Sequence, residues 1–321
     1  MSTCNLLNLP PELQVQILAF LPVRSLLKFS QVCHHAHILA SSSLHTLSLG
    51  IHSTDLRGSI DYDPYQVSVL IPDAQTFDYT TLLSFHTALT KSILIRHGST
   101  LRNLDISLWT LTTPTATALS ALPALRAVSI RIEDVSHVRA MSRNKIAAQR
   151  VEQRHAWTTL TSKAIWASRL NALRIEGAEL NSRQLMTLVH KSRWIREIWV
   201  SKCALIGRAL WDVLGAEEWV GRGASLRVLG VGRCGGRVDE GVLDVVDGLG
   251  GLQFLSLQGC SYDGLIDNET IENRNRARWG IPELILPWSS PSSPLVTSTL
   301  ENDESTFIEV DPVYLGAAAE E

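Results

Sequence analysis

The stretch that decides the fold is 226-LRVLGVGRCGG-236. Its apolar residues Leu226, Leu229 and Val231 follow the spacing L-x-x-L-x-L, and a G-x-G-x-x-G motif overlaps them. The apolar spacing predicts a short strand with one buried face, because successive side chains of a strand point to opposite faces. The glycines allow a second interpretation, a turn that binds the phosphates of a nucleotide.

The same apolar spacing recurs along the chain. Six units begin between Leu101 and Leu252, and weaker ones begin at Leu44 and Ile281. In three successive units the ninth residue is a cysteine, namely Cys203, Cys234 and Cys260. This part of the chain resembles the leucine-rich repeats, in which Asn or Cys is typical of that position. The recurrence favours a repeat over a nucleotide-binding turn, whose glycines would have to open a helix.

A solenoid follows from the repeats, because one unit cannot bury its apolar face without a neighbour. Residues 101–288 are therefore predicted to form an irregular leucine-rich-repeat solenoid with short parallel strands. One step, from Leu125 to Leu170, measures 45 residues and leaves open whether residues 131–170 hold a degenerate repeat or an insertion. The step includes a basic run, 139–155, which predicts either a solvated outer helix or a docking surface for an acidic partner.

The first part of the chain, residues 5–43, has a different pattern. Pro10 and Pro11 favour a helix start, and Pro22 favours the end of that helix. The apolar spacing predicts two further short helices after it. A domain this small is marginal alone. Leu13, Ile17, Phe20 and Leu21 share the predicted core face, whereas Leu18, Val23 and others fall outside it, so the domain is expected to bind a partner.

These N-terminal residues resemble an F-box. The resemblance rests on Leu9-Pro10-x-Glu12-Leu13, Ile17-Leu18, Leu21-Pro22-Val23-x-x-Leu26-Leu27 and Val32-Cys33. One departure is Ala36, where the family often has tryptophan. The resemblance implies binding to the small adaptor subunit of cullin–RING (SCF-type) ubiquitin ligases. The adaptor-binding residues that it implies are Leu9, Pro10, Leu13, Ile17, Leu18, Leu21, Pro22, Val23, Leu26, Leu27 and Val32.

An F-box followed by leucine-rich repeats resembles a substrate-receptor subunit of such a ligase. That resemblance implies a protein that is not an enzyme, has no catalytic residues and needs no cofactor, because ubiquitin transfer occurs on other subunits. The alternative function is an adaptor-binding repeat scaffold that acts outside ubiquitin ligation. A third hypothesis, a nucleotide-dependent enzyme, depends on the glycines of residues 230–235.

The concave face of the predicted solenoid is the expected substrate surface. Its side chains are those that lie between the buried leucines of each strand. The substrate-binding residues predicted in this way are Asp105, Arg131, Arg174, Glu176, Glu197, Trp199 and Gly230. Tryptophan and arginine are the residue types most enriched at binding hot spots. Gly230 and Gly232 are expected to leave a shallow gap beside Trp199 for a protein partner.

Composition excludes some partners and indicates a compartment. The net charge of -3 gives no overall positive field, so neither nucleic acid nor a membrane is expected as a partner. No apolar run is long enough to span a bilayer. The five cysteines include no C-x-x-C pair, which favours a reduced chain in the cytoplasm or nucleus.

The remaining segments complete an α/β prediction, a three-helix F-box followed by the solenoid. Residues 44–100 are expected to hold a linker, a first cap unit and a helix, with a loop over 52–75. Residues 289–321 are expected to form a mobile acidic tail. No metal site is expected, because neither the three aligned cysteines nor the histidines at 34–37 supply four ligands.

Overall fold

A computed structural model of the chain describes residues 9–53, 66–71, 74–133, 142–216, 225–262, 266–287 and 307–309. The fold is mixed α/β, as predicted: three short helices lead into one large parallel sheet. Among the described residues, no helix is both long and apolar enough to cross a membrane.

The three N-terminal helices are α1 (Pro11–Leu18), α2 (Val23–Ser30) and α3 (His34–Ser43). Helix α3 begins after Cys33, whose Sγ accepts a hydrogen bond from the backbone N–H of Ala36 at 3.4 Å. Ala36 is buried, so the position where the F-box family often has tryptophan is a core position in this chain as well. The smaller side chain fills less of that core.

In the part of the chain that the structure describes, the large sheet contains ten strands, and every neighbouring pair is parallel. In chain order its strands are β1 (Thr46–Ser53), β2 (Gln66–Ile71), β3 (Asn103–Leu108), β4 (Ala127–Ile132), β5 (Ala172–Glu176), β6 (Glu197–Ser201), β7 (Val228–Gly232), β9 (Phe254–Ser256), β11 (Glu283–Ile285) and β12 (Phe307–Glu309). Their order in space is β11-β9-β7-β6-β5-β4-β3-β1-β2-β12. A separate small ladder pairs β8 (Arg237–Val238) with β10 (Ser261–Tyr262).

Helices return the chain between most of these strands. They are α4 (Tyr79–His97), α5 (Thr113–Ser120), α6 (Arg143–Lys163), α7 (Ser182–His190), α8 (Ala209–Leu214), α9 (Glu240–Asp247) and α10 (Asn268–Arg274). Short 3-10 turns lie at Ala74–Thr76 and Ala167–Arg169, and a π-helical turn, Asn275–Trp279, follows α10.

The core follows the period of two that the sequence predicts. Leu104 and Ile106 of β3 lie opposite Val128 and Ile130 of β4, and all four are buried. The same pairing of alternate apolar residues continues through β5, β6 and β7. Stacking therefore completes a core that no unit could form alone.

The N-terminal helices share this core with the sheet. Leu18, Leu39 and Leu44 belong to the same buried cluster as the strand leucines. The carbonyl of His45, which follows α3 and Leu44, accepts hydrogen bonds from the backbone N–H groups of Arg102 and Asn103 at 2.8 and 3.0 Å. The helical domain is thus packed against the first unit of the sheet.

The loop predicted over residues 52–75 is wrong in part. Gln66–Ile71 form β2, which pairs with β1 on the side away from β3. Val67, Val69 and Ile71 are buried, so the alternation typical of a strand was present in the sequence. Residues 54–65 and 72–73 lie outside the described residues.

The 45-residue step is one long unit in the part of the chain that the structure describes. Strands β4 and β5 are direct neighbours, with Val128 opposite Leu173. Helix α6 occupies most of the step, and the described residues between the two strands add no strand. The return helix is extended, while residues 134–141 lie outside the described ranges.

Four successive units leave their strand through a left-handed residue, a feature that the sequence analysis missed. These eighth-position residues are Gly177 (φ 70°), Lys202 (φ 54°), Arg233 (φ 50°) and Gly259 (φ 68°). The left-handed residue turns the chain away from the sheet at the same point in each unit. Glycine adopts this conformation at little cost, whereas lysine and arginine are strained there.

The three aligned cysteines bind backbone carbonyl groups of the preceding unit. Each thiol points to the sixth residue of that unit: Cys203 Sγ lies 3.9 Å from the Ile175 carbonyl oxygen, Cys234 Sγ 3.7 Å from that of Val200, and Cys260 Sγ 2.9 Å from that of Val231. All three cysteines are free thiols, and burial raises the pKa of Cys260 to about 11. Their position favours a structural role.

A pair of glycine substitutions tests the left-handed turn. Gly177→Ala is expected to lower the free energy of unfolding by about 2 kcal/mol, because strain at positive φ adds to a clash of the new Cβ with the Ile132 carbonyl oxygen. The Ile132 carbonyl oxygen would lie 2.6 Å from a Cβ at position 177. Gly280 has a similar φ of 63°, but no atom lies within 4 Å of a Cβ added there. Gly280→Ala should therefore lower the free energy of unfolding by only about 1 kcal/mol. Urea unfolding measures both, and equal costs would contradict the clash.

Part of the predicted tail forms a strand. Phe307–Glu309 make up β12, which pairs with β2 at the edge of the sheet. The rest of the predicted mobile tail lies outside the described residues. An edge strand exposes unpaired backbone groups, and β12 covers those of β2 over three residues.

Candidate protein-binding surfaces

The helical domain exposes large apolar side chains at a higher density than any other part of the described chain. Leu13 and Ile17 lie one turn apart on α1 and are 45% and 44% exposed. We define the F-box apolar surface as the exposed residues Leu13, Ile17, Phe20, Leu21, Leu27 and Val32. Phe20, 87% exposed, was not among the predicted adaptor-binding residues. Exposed apolar residues concentrated in one small domain indicate a surface that a partner covers.

Three of the predicted adaptor-binding residues do not reach this surface. Leu18, Val23 and Leu26 are buried in the domain core, where they support the helices. The predicted core face is therefore wrong: Leu18 and Val23 were expected outside it, whereas the residues expected on it are exposed, namely Leu13, Ile17, Phe20 and Leu21. The predicted positions Leu9 and Pro10 lie at the start of α1, partly buried and exposed respectively.

A buried glutamine fixes the start of α1. The Gln14 side chain is buried, and its Nε2 donates a hydrogen bond to the Leu9 carbonyl at 2.6 Å. This bond holds the Leu9-Pro10 segment against the helix that it precedes. Nothing in the sequence marks Gln14 for this role, because a polar side chain among apolar positions of a helix is typical of a solvent-facing site.

One face of the sheet forms a groove of about 590 Å³. It runs across the strands from β1 to β9 and is lined by side chains that lie between the buried leucines. Six of the seven predicted substrate-binding residues line it: Asp105, Arg131, Arg174, Glu176, Glu197 and Trp199. The strand pattern was therefore sufficient to predict which side chains share this face.

Charges in the groove are paired across neighbouring strands. Glu176 contacts Arg131 at 3.3 Å and Lys202 at 2.6 Å, and Arg174 pairs with Glu197. The three cationic side chains are 51–59% exposed, but the two carboxylates only 18–29%. The groove therefore presents its positive groups to solvent. Lys202 follows β6 in a left-handed conformation and does not itself line the groove, but its ammonium group pairs with the groove residue Glu176.

An aromatic pair lies beside the charged groups. The rings of Trp199 and Phe254 have centroids 5.6 Å apart and are tilted by 38°. The indole of Trp199 lies over Gly230, since a Cβ built on Gly230 would be 2.4 Å from Trp199 Cε3. The predicted gap beside Trp199 is thus wrong: the ring itself fills it, and Gly230 is buried. Glycine is required so that the indole can lie flat across β7.

The glycine motif does not have the geometry of a nucleotide-binding turn. Gly230 and Gly232 are residues of β7, and the next helix, α9, begins only at Glu240. A phosphate-binding turn needs the glycines to lead directly into a helix N-terminus.

The basic run is in part solvated helix. Arg150 and Arg154 on α6 pair with Glu179, whereas Arg143 and Lys145 at its start are exposed. Within the described ranges, no group of three or more His, Cys, Asp or Glu side chains is placed to hold a metal ion.

Comparison with known proteins identifies the helical domain. A family model described as the F-box domain matches residues 6–46. No curated protein matches the chain. The matched segment contains α1, α2 and α3 and reaches the start of β1, and it carries the F-box apolar surface. Residues 6–46 are therefore an F-box domain, a module that binds Skp1-type adaptors and through them a cullin.

Proposed function

We propose that this chain is the substrate-recognition subunit of a cullin–RING (SCF-type) ubiquitin ligase. The F-box binds the adaptor through its apolar surface, and the groove of the sheet binds a protein substrate. The observation that carries the proposal is the F-box apolar surface, exposed on a domain whose core is continuous with that of the sheet. Such continuity would hold the substrate groove in a fixed position relative to the adaptor.

We further propose that the units of the sheet are leucine-rich repeats. The recurring L-x-x-L-x-L spacing, the parallel strands and the cysteine at the ninth position support this assignment. Each cysteine thiol bonds to the preceding unit, as expected of a residue that joins stacked repeats. The assignment makes the groove the concave face of a solenoid, which is the surface that such proteins use for binding.

The chemistry of the groove favours a particular kind of substrate segment. Trp199 and Phe254 offer an apolar platform, and Arg131 and Arg174 extend their guanidinium groups above half-buried glutamates. A segment with an apolar side chain next to an acidic one would match both features. The chain itself supplies binding and positioning, and ubiquitin transfer would occur on other subunits of the ligase.

Substitutions in the F-box apolar surface test the proposal through the amount of adaptor that co-purifies with the chain. Leu13→Ser/Ile17→Ser removes two exposed apolar side chains without touching the buried Leu18, so the domain should still fold. We expect adaptor binding in co-purification to fall about tenfold or more, because covering each of these half-exposed apolar side chains contributes roughly 1 kcal/mol. Val151→Ser, at a 50% exposed valine of α6, is the matched control and should leave binding unchanged.

The same co-purification distinguishes the ligase subunit from the alternative function, an adaptor-binding repeat scaffold. A ligase subunit brings down the cullin together with the adaptor, and the double substitution should remove both. Adaptor without cullin would instead support a repeat scaffold that acts outside ubiquitin ligation. Full retention of the adaptor by the Leu13→Ser/Ile17→Ser variant would contradict the adaptor surface itself.

A further inference from the structure

One edge of the sheet carries a line of arginines. Along the edge where the strands begin, the residue just before each strand hydrogen-bonds to its counterpart in the next unit. Arg126 N–H donates to the Arg102 carbonyl at 2.7 Å, and Arg227 N–H donates to that of Arg196 at 2.8 Å. All four side chains are exposed. We call this surface the strand-entry edge, and it begins at His45, where the F-box joins the sheet.

The same edge carries exposed apolar side chains. The helices return towards it, so their C-terminal ends and the loops after them lie there. Ile95 in the last turn of α4 is 67% exposed, Ile165 after α6 57% and Trp194 after α7 66%. Ile165 N–H donates to the Ser120 carbonyl at the end of α5, which joins the ends of neighbouring helices. Outside the F-box, only Val151 and Leu205 are other exposed large apolar residues within the described ranges.

Negative charge is absent from these segments of the described chain. The stretches 95–103, 120–127, 162–172, 190–196 and 225–228 contain no Asp or Glu. They contain the cationic residues Arg96, Arg102, Arg126, Lys163, Arg169, Lys191, Arg193, Arg196 and Arg227. None of these nine forms a salt bridge with a described residue. Residues 217–224, which include Glu217 and Glu218, lie outside the described ranges.

Helix stabilisation explains only part of this pattern. Cations near helix C-termini interact favourably with the helix dipole, which accounts for Arg96, Lys163 and Lys191. It does not account for the arginines that precede the strands. Nor does it explain why two isoleucines and a tryptophan point into solvent among them.

We propose that the strand-entry edge docks onto an anionic membrane surface. Six strands are neighbours in space, in the order β1, β3, β4, β5, β6 and β7. Because adjacent strands lie about 4.8 Å apart, their starts extend over about 24 Å, and the cations form an extended row. Basic side chains beside anionic lipids and apolar side chains at the interface are the two features that bind peripheral proteins to membranes. The net charge of -3 does not oppose this docking, because acidic residues more than about 8 Å away are screened at physiological salt.

The apolar residues favour a membrane over nucleic acid. Single-stranded nucleic acids are bound by aromatic side chains on which successive bases stack. Trp194 is the one aromatic residue among the three exposed apolar side chains at this edge, and Ile95 and Ile165 offer no stacking surface. Tryptophan and isoleucine both suit the boundary between lipid headgroups and acyl chains.

Vesicle sedimentation of the full chain tests the proposal. Vesicles of phosphatidylcholine mixed with phosphatidylserine should bind the protein, while vesicles of phosphatidylcholine alone should not. Arg126→Glu/Arg196→Glu should lower the partition coefficient by about tenfold or more, since each cation near an anionic surface contributes roughly fivefold. Trp194→Ser should also weaken binding, and raised salt should weaken it in the wild type.

Two controls separate the edge from other surfaces. Arg143→Glu/Lys145→Glu makes the same change in net charge at the far end of α6, about 30 Å from Lys163, and should bind as the wild type does. Leu13→Ser/Ile17→Ser should also bind, because the F-box apolar surface is not involved. Equal loss in either control, equal binding to neutral vesicles, or binding to single-stranded RNA but not to vesicles would overturn the membrane assignment.

Discussion

Replacing Gly230 by leucine is expected to displace the Trp199 indole and to lower the free energy of unfolding by about 3 kcal/mol. A side chain at this position would occupy the space of the ring, because even a Cβ would lie 2.4 Å from Trp199 Cε3 and 2.5 Å from Cδ2. The indole would have to leave its place over β7 and lose its contact with Phe254. The expected cost is that of removing a half-buried aromatic ring from its packing.

A double-mutant cycle shows whether the ring is the cause. In the Trp199→Ala background the space over Gly230 is open, so Gly230→Leu should cost less than about 1 kcal/mol there. Urea unfolding of the wild type, the two single variants and the double variant gives the coupling free energy. The same cost in both backgrounds would mean that the clash lies in the backbone of β7 and not in the indole.

The substitution also has a functional consequence if the groove binds the substrate. Gly230→Leu should remove the proteins that co-purify with the chain as substrates, while the adaptor stays bound through the F-box. Val151→Ser should retain both. Loss of the adaptor in the Gly230→Leu variant would indicate general unfolding, and retention of the full set of substrates would place their binding outside the groove.

The strands of the middle units could be predicted because their signal is local. In each of β3 to β7 the inward residues are apolar and the outward ones mostly are not, so burial follows from a period of two. The edge strand β2 was missed although Val67, Val69 and Ile71 alternate in the same way. Its pairing on the outer side of β1 depends on chain topology, which a short window of sequence does not contain.

The exposed face of the F-box could not be read from the spacing of its leucines. Helix α1 has apolar residues on more than one side, and its spacing wrongly predicted that the core face is the one with Leu13 and Ile17 and not the one with Leu18. The packing of α1 against α3 decides it and buries Leu18. The gap expected at Gly230 failed for a similar reason, since the conformation of Trp199 on the neighbouring strand determines whether the space is empty.

Replacing Arg274 by methionine is expected to lower the free energy of unfolding by about 3 kcal/mol, because it leaves a cluster of carboxylates without its central cation. Arg274 is only 13% exposed and binds Asp247 through two hydrogen bonds of 3.1 and 2.8 Å. It also pairs with Glu240 and Asp244, which are mostly exposed and are expected to contribute less. Methionine keeps the apolar stem of the side chain and removes the charge.

A neighbouring arginine provides the matched control. Arg276 pairs with Glu272 one turn away and is 70% exposed, so Arg276→Met should cost less than about 0.5 kcal/mol. Urea unfolding at neutral pH compares the two variants. Equal effects would show that the loss of a positive charge, and not the burial of Arg274 among carboxylates, determines the cost.

The cost of Arg274→Met should depend on pH. Hydrogen bonds from Arg274 lower the pKa of Asp247 well below its ordinary value, with further bonds from Trp279 and Arg278 acting in the same direction. A carboxyl whose pKa is depressed in the folded state stabilises the fold above its unfolded pKa of about 3.9, and this contribution is lost as the pH falls through the folded pKa. The difference between wild type and variant should therefore be largest near neutral pH and shrink in acid.

The expected pH dependence follows from the Arg274–Asp247 contact, which we expect to stabilise the last described unit of the sheet. Within the described residues, strand β11 has a neighbour only on the side of β9, so this last described unit lacks the stacking that stabilises the inner ones. The bonds from Arg274 on α10 to Asp247 at the end of α9 replace part of that missing contact. If they do so, hydrogen exchange in Arg274→Met should increase first in α10 and β11 and leave β3 to β6 protected. Uniform exchange across the whole sheet would show that the cluster stabilises the complete sheet and not its last unit.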